Sequence, residues 1–230
     1  EDIVVEKYAK SLSLESVSKW GATVAIEKTD DAFMVELQNK VLKDFYTFLK
    51  TGTLKGTQKK WQKALAIAKG AVLNKFAGMN RNVTEVVGFA NVMDFYDWLG
   101  DKEITVQTMF GLQYIKDFFG FSTLFLLPDD YIPAKTVIAT PVENIDLYYI
   151  DPGDSDFKKL GLDYTTSGET NLIGFHAGGN YTNATGETYA IMGMKLWAEY
   201  LDGVCVVTVG ATETIPEVSS AVSKVSSNGK

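Results

Sequence analysis

A chain of 230 residues has room for one large domain or two small ones around a real core, and its 46% hydrophobic and 22% charged residues are ordinary for a folded chain. The net charge of −7 argues against a nucleic-acid binder, because such proteins neutralise phosphates with surplus Lys and Arg. One cysteine excludes an intrachain disulfide, and one histidine excludes any His-pair zinc site.

Aromatic residues are plentiful, with 11 Tyr and 13 Phe, which suits wide packed surfaces between subunits. The first residue is Glu and no signal-peptide pattern follows, as expected of a processed product or a chain that begins inside a longer protein. No apolar run approaches the ~20 residues of a membrane span, so no membrane partner is expected.

Residues Glu1 to Ile26 alternate loosely around a polar middle, which predicts an extended arm and a short helix near Leu14–Trp20. Thr29-Asp30-Asp31 offers an N-cap with favourable charge for a helix start. Met34, Leu37, Val41, Phe45 and Phe48 follow at helical spacing, widened by Phe33, Leu42 and Leu49, which predicts a helix to about Lys50. Thr51-Gly52-Thr53 ends it. A second helix is expected from about Gln58 to Ala77, with Trp61, Leu65, Ala68, Val72 and Phe76 on one face. Lys59, Lys60 and Lys63 near its start read as a solvated face.

Val83–Phe89 reads as a buried strand, and Asn91 caps a short helix, Val92–Leu99, closed by Gly100. Thr105–Gly120 reads as irregular. Phe121–Gly153 is the stretch around which the chain is organised: a buried-type strand Phe121–Leu127, an exposed turn Asp129–Pro133, a short run Lys135–Ala139, then an alternating strand Ile145–Ile150. Asp151–Gly168 reads as polar loop, Leu172–Phe175 as a short strand and His176–Gly186 as a turn-rich excursion. Glu187–Tyr200 is expected as one long strand, joined through an Asp202-Gly203 hairpin to the apolar strand Val204–Val209. From Ala211 onward the composition is that of a tail. Helices in the first half and strands in the second make the fold α+β.

No constellation carries chemistry. Asp151, Asp154 and Asp156 do not match a calcium-loop spacing. Asp129 and Asp130 are adjacent on a turn and do not converge as a catalytic carboxylate pair would. His176 has no G-x-S-x-G partner, and Cys205 lies inside VCVVTV as a buried thiol. The N-x-T triplets at Asn82, Asn180 and Asn183 read as chance. No catalytic, cofactor-binding or metal-binding residue is assigned, no cofactor is expected, and the chain reads as no enzyme.

The order of segments resembles the major capsid proteins of tailed bacteriophages, the Hong Kong 97-type fold also used by encapsulins, and most of all those of phages and prophages of Gram-positive bacteria. The likeness rests on Lys28–Thr53, Asn91–Gly100, Glu103–Asp151 and Asn180–Val209, which cover most of Thr29–Val209. It implies a long spine helix within 29–56 and long antiparallel strands within 147–202 as a peripheral domain. It also implies an axial domain at 57–146, a return strand at 203–210, and a flexible tail at 211–230. Residues 1–28 resemble the remnant of the family's extended loop or arm.

The implied function is structural: a major capsid protein that self-assembles through pentamers and hexamers into the icosahedral shell of a virion. Such a shell encloses double-stranded DNA without sequence-specific binding, with scaffolding, portal and decoration proteins as further partners and the host cytoplasm as the place of assembly. An encapsulin nanocompartment is the alternative. A carbohydrate-active or carbohydrate-binding domain using Asp129, Asp130 and nearby aromatics is the second, and a surface adhesin module the third.

Overall fold

The structure, a computed structural model, describes residues 2–100, 104–109, 112–166 and 171–216. The chain divides into two compact units, Glu1–Asp44 with Asp146–Trp197, and Phe45–Ile145 with Ala198–Lys230.

The first unit packs a helix on an antiparallel sheet. Strand β1 (Glu6–Ser13) leads into α1 (Leu14–Trp20), which ends at Gly21 in the left-handed conformation, φ +80°, with the Gly21 amide donating to Val17 O. This is the glycine stop that lets a new helix begin at once. Helix α2 (Ala22–Leu49) therefore starts seven residues before the expected Thr29 cap. Asp30 is spent otherwise: it accepts a 2.8 Å bond from Thr188 Oγ1.

The sheet has order β1-β11-β10-β9, from β9 (Thr165–Thr166), β10 (Ile173–Asn180) and β11 (Thr185–Met192). The register sets Tyr8, Ala190 and Phe175 side by side, and Glu6, Met192 and Ile173 likewise. Because side chains alternate, these residues share one face, and Phe33, Leu37 and Val41 of α2 cover it. Phe33 meets Phe175 edge-on at 6.4 Å. The helix's buried line is Phe33 and Leu37, then Tyr46 and Leu49, while Met34, Phe45 and Phe48 flank it rather than lead it.

The expected single strand Glu187–Tyr200 breaks at Gly193 into β11 and β12 (Met194–Ala198). There Ile150 N donates to Gly193 O, and β12 leaves the four-stranded sheet to form a two-stranded ribbon with β8 (Ile145–Tyr149). The expected loop after Asp151 contains a short helix, α5 (Ser155–Lys159), capped by Asp154. The Leu172–Phe175 strand continues to Asn180, through most of the expected turn-rich excursion, because glycines at 178 and 179 extend readily when paired.

The second unit is a seven-stranded mixed sheet of order β2-β13-β7-β3-β6-β5-β4. Its strands are β2 (Leu54–Gln58), β3 (Val86–Asn91), β4 (Gln107–Met109), β5 (Leu112–Phe118), β6 (Phe121–Leu127), β7 (Thr136–Pro141) and β13 (Cys205–Val209). Helix α3 (Trp61–Gly78) lays Trp61, Ala64, Leu65, Ala68, Val72 and Phe76 into the core with Val137, Ala139, Cys205 and Val207. Helix α4 (Val92–Leu99) is capped by Asn91, whose side chain accepts from Met93 N, and buries Phe95 and Leu99. On the opposite face of the sheet, Phe89 stacks on Phe125 at 5.5 Å, with Tyr46 edge-on to Phe89.

Phe121–Leu127 is an inner strand, parallel to β3 and antiparallel to β5, with Phe121, Leu124, Leu126 and Leu127 buried. Asp129, Asp130 and Pro133 are exposed in the turn that follows, while Ile132 is buried and the half-buried Tyr131 packs its ring against Tyr46 at 5.4 Å. Three expectations fail in this unit. Gln58, expected to start the second helix, ends strand β2, and α3 starts at Trp61. Thr105–Gly120, expected as irregular, supplies β4 and β5. Asp202-Gly203 is no hairpin: it lies in a 3₁₀ turn, Leu201–Gly203, and β13 pairs antiparallel with β7 and parallel with β2. The physical reason is burial on both faces, which a run such as VCVVTV requires and a two-stranded hairpin cannot give. Glycine is obligatory at 203, where a Cβ would lie 2.6 Å from the Phe76 ring.

The expected tail is partly ordered. Thr214 bridges to Thr57, and Pro216 is buried, while residues 217–230 lie outside the described residues.

Candidate assembly surfaces

The residues singled out for chemistry are dispersed and locally satisfied. Asp151 accepts from Gly153 N at 2.8 Å, Asp154 caps α5 through Asp156 N, and Asp156 pairs with Lys159 at 2.6 Å. Asp129 accepts from the buried Asn91 amide at 2.6 Å, which fixes the turn, and Asp130 points to solvent. His176 Nδ1 lies 2.9 Å from Asp163 O, and its ring stacks near Tyr189 at 6.5 Å. His176 belongs to the first unit and Cys205 to the second. Lys63 pairs with Glu213, and Lys59 and Lys60 are exposed. Of the N-x-T positions, Asn180 serves its own turn, accepting from Thr182 N and donating to Glu187.

Electrostatics point the same way. Burial pushes the Cys205 thiol up to about 12, so it stays protonated and inert. Burial also raises the Asp94 carboxyl, against the opposing bond it accepts from Lys135 N at 2.5 Å, and this bond pins the start of β7 to α4. Tyr8 rises to about 12, through burial first and its hydrogen bond to Glu6 second. Among the described residues no group of three or more His, Cys, Asp or Glu could hold a metal ion, and no helix is long and apolar enough to cross a membrane.

What the molecule does present is apolar surface. In the β8–β12 ribbon, Leu147, Tyr148 and Tyr149 are all exposed in sequence, and so is Trp197 on β12; Tyr148 is 53% and Trp197 46% accessible. Ile3, Tyr148, Lys195 and Trp197 line an open cleft of about 440 Å³ in the same unit. A two-stranded ribbon is marginal by itself in water, and contiguous exposed aromatics mark a contact surface. Tyr181, 99% accessible, tips the β10–β11 hairpin on the turn ordered by Asn180. Sequence reading treated Ile145–Ile150 as a half-buried alternating strand and so missed this surface. The signal was present in three consecutive apolar residues, Leu147-Tyr148-Tyr149, where alternation demands a polar one.

The sequence matches no protein-family model and no curated protein. Solved structures do match. A structure from Mycobacterium phage Che8 superposes with a TM-score of 0.57 at 9% identity, covering 91% of this chain and 72% of the other. The capsid asymmetric unit of cyanophage A-1(L) gives 0.54 at 11% identity, covering 89% and 76%. The holo-SrpI encapsulin complex from Synechococcus elongatus gives 0.54 at 11% identity, covering 92% and 76%. Two mixed α/β units, arranged in the chain as described above, thus constitute the fold of tailed-phage major capsid proteins, which encapsulin shells share.

Proposed function

We propose that the chain is a structural shell protein, the major capsid protein of a tailed phage, which self-assembles into an icosahedral head around double-stranded DNA and resides in the virion. The observation that carries this reading is the fold shared with the cyanophage A-1(L) capsid over 89% of the chain. The exposed aromatic ribbon agrees with it, as surface that a lone soluble chain would not keep bare. The net charge of −7 suits a lining that encloses DNA without gripping it. In this reading the first unit is the peripheral domain with α2 as its spine, the second unit is the axial domain, and the protein is no enzyme. Scaffolding, portal and decoration proteins are its further partners, met in the host cytoplasm during assembly.

Electron microscopy of the full-length protein after expression tests this: closed particles are expected, and monomers under every assembly condition would sink the idea. An encapsulin compartment is the second reading, favoured by the SrpI likeness at a TM-score of 0.54. The contents of purified particles separate the two, nucleic acid for a phage head and a protein cargo for an encapsulin.

A further inference from the structure

Strand β2 ends the seven-stranded sheet, and its outer edge is occupied. After β13 the chain turns at Gly210, whose amide donates to Gln58 O, crosses the end of β2 and returns antiparallel along that edge. Thr57 N donates to Thr214 O at 3.0 Å, and Thr214 N donates to Thr57 O at 2.8 Å. Three side-chain features read the returning segment. The fully buried Gln58 donates from Nε2 to Thr214 O at 3.1 Å, and Lys63 pairs with Glu213 at 3.0 Å. Pro216 is buried against Gly56, where a Cβ would lie 2.8 Å from the proline ring. The edge thus has the parts of a peptide site: a reciprocal backbone pair, a notch cut by glycine, a cation for an acidic side chain, and a carboxamide on a carbonyl.

Among the described residues, what tethers the segment to its own chain is slight. Residues 210–215 are all exposed, and Ile215 is 71% accessible. An edge held by so few bonds opens readily, and an open edge is a template for strand addition. Every copy carries the same edge and the same segment, so a second copy's segment fits the edge as well as the chain's own.

We propose that the outer edge of β2 is a binding site for the extended segment Glu213–Pro216, and that neighbouring copies exchange this segment, each edge taking the other's strap. The exchange rests on the shell reading only for the high local concentration that favours it.

The test uses full-length chains carrying Cys205→Ser. One variant adds Thr57→Cys and another Thr214→Cys. These positions face each other as a bonded antiparallel pair, whose Cα separation of about 5.5 Å permits a disulfide. The double variant Thr57→Cys/Thr214→Cys reports closure within a chain. The two single variants are mixed, oxidised mildly, and read on a non-reducing gel, both as particles and as concentrated soluble protein. Exchange predicts a mixed-chain disulfide that either variant alone fails to give. A second pair at exposed positions, Lys63→Cys and Glu213→Cys with a short bis-maleimide, repeats the measurement away from the backbone pair, at the cost of the ion pair these two residues make. Cross-linking in the double variants but not in either mixture, particulate or soluble, would overturn the exchange. Particle formation is scored separately by microscopy, so loss of the shell and loss of the exchange are distinct results.

Discussion

Single buried residues set the stability of the second unit, and two of them allow sharp tests. Cys205 is fully buried, and its thiol is pushed from an ordinary 9.0 to about 12. Above pH 9 the unfolded chain loses this proton while the folded chain keeps it, so stability falls as pH rises between these values. The slope from this group reaches about 1.4 kcal/mol per pH unit. Urea melts between pH 8 and 10.5 should fall more steeply in the wild type than in Cys205→Ala, where raised phenols such as Tyr8 leave a smaller slope; equal slopes would contradict the burial. Asn144 is the second. It is 2% exposed, donates to Tyr200 O and Thr140 Oγ1, and accepts from Tyr200 N. Both backbone groups of Tyr200 thus bond this one side chain where the chain enters its 3₁₀ turn, the carbonyl sharing it with Gly203 N. Asn144→Ala leaves them without it and should cost on the order of 2–3 kcal/mol, read as a lowered urea midpoint at unchanged m-value.

Among the elements, those with a strong local pattern were legible in the sequence, and those defined by distant pairing were not. Helix α3 announces itself by Trp61, Leu65, Ala68, Val72 and Phe76, and α4 by Asn91 before and Gly100 after. Phe121–Leu127 and the exposed Asp129, Asp130 and Pro133 of its turn were likewise readable from an apolar run and its breakers, whereas the burial of Ile132 within that turn was not. By contrast, nothing local tells β13 to join β7 and β2 instead of folding back on β12, because that choice is made by which faces need cover. The break at Gly193 is hidden for the same reason: alternation runs through it, and only the pairing of β12 with β8 exposes it. The central-strand assignment gives a matched pair of substitutions. Leu124 is 0% exposed and belongs to the buried core that the sheet shares with α3 and α4, so Leu124→Ala should cost about 2–5 kcal/mol. Asp130→Ala in the adjoining turn should stay within about 0.5 kcal/mol. Thermal melts that reverse the order of these effects would undo the assignment of strand and turn.

For the whole molecule, the question is what the exposed aromatic ribbon does when copies meet. Among the described residues no group of three or more His, Cys, Asp or Glu could hold a metal ion, whereas Tyr148 and Trp197 stand half-exposed around a cleft of about 440 Å³. The candidate surface was therefore less legible than the fold, since interface residues differ from core residues only in what covers them, and in the proposed reading that cover is another copy. Folding and assembly should respond to this surface in opposite ways. Tyr148→Asp removes a side chain that is already 53% accessible, so the urea midpoint of the lone chain should move little, within about 0.5–1 kcal/mol. In a shell the same substitution buries a carboxylate in an aromatic contact, at a cost of at least about 1.4 kcal/mol per contact, or tenfold in association. Because a shell repeats its contacts, the concentration at which particles appear should rise by tenfold or more, measured by light scattering across a dilution series. Tyr148→Phe keeps the ring and should assemble as the wild type does. If Tyr148→Asp assembled at the wild-type concentration, the ribbon would not be a contact between copies. If instead it lost folding stability by several kcal/mol, the ribbon would be a covered part of the chain's own core.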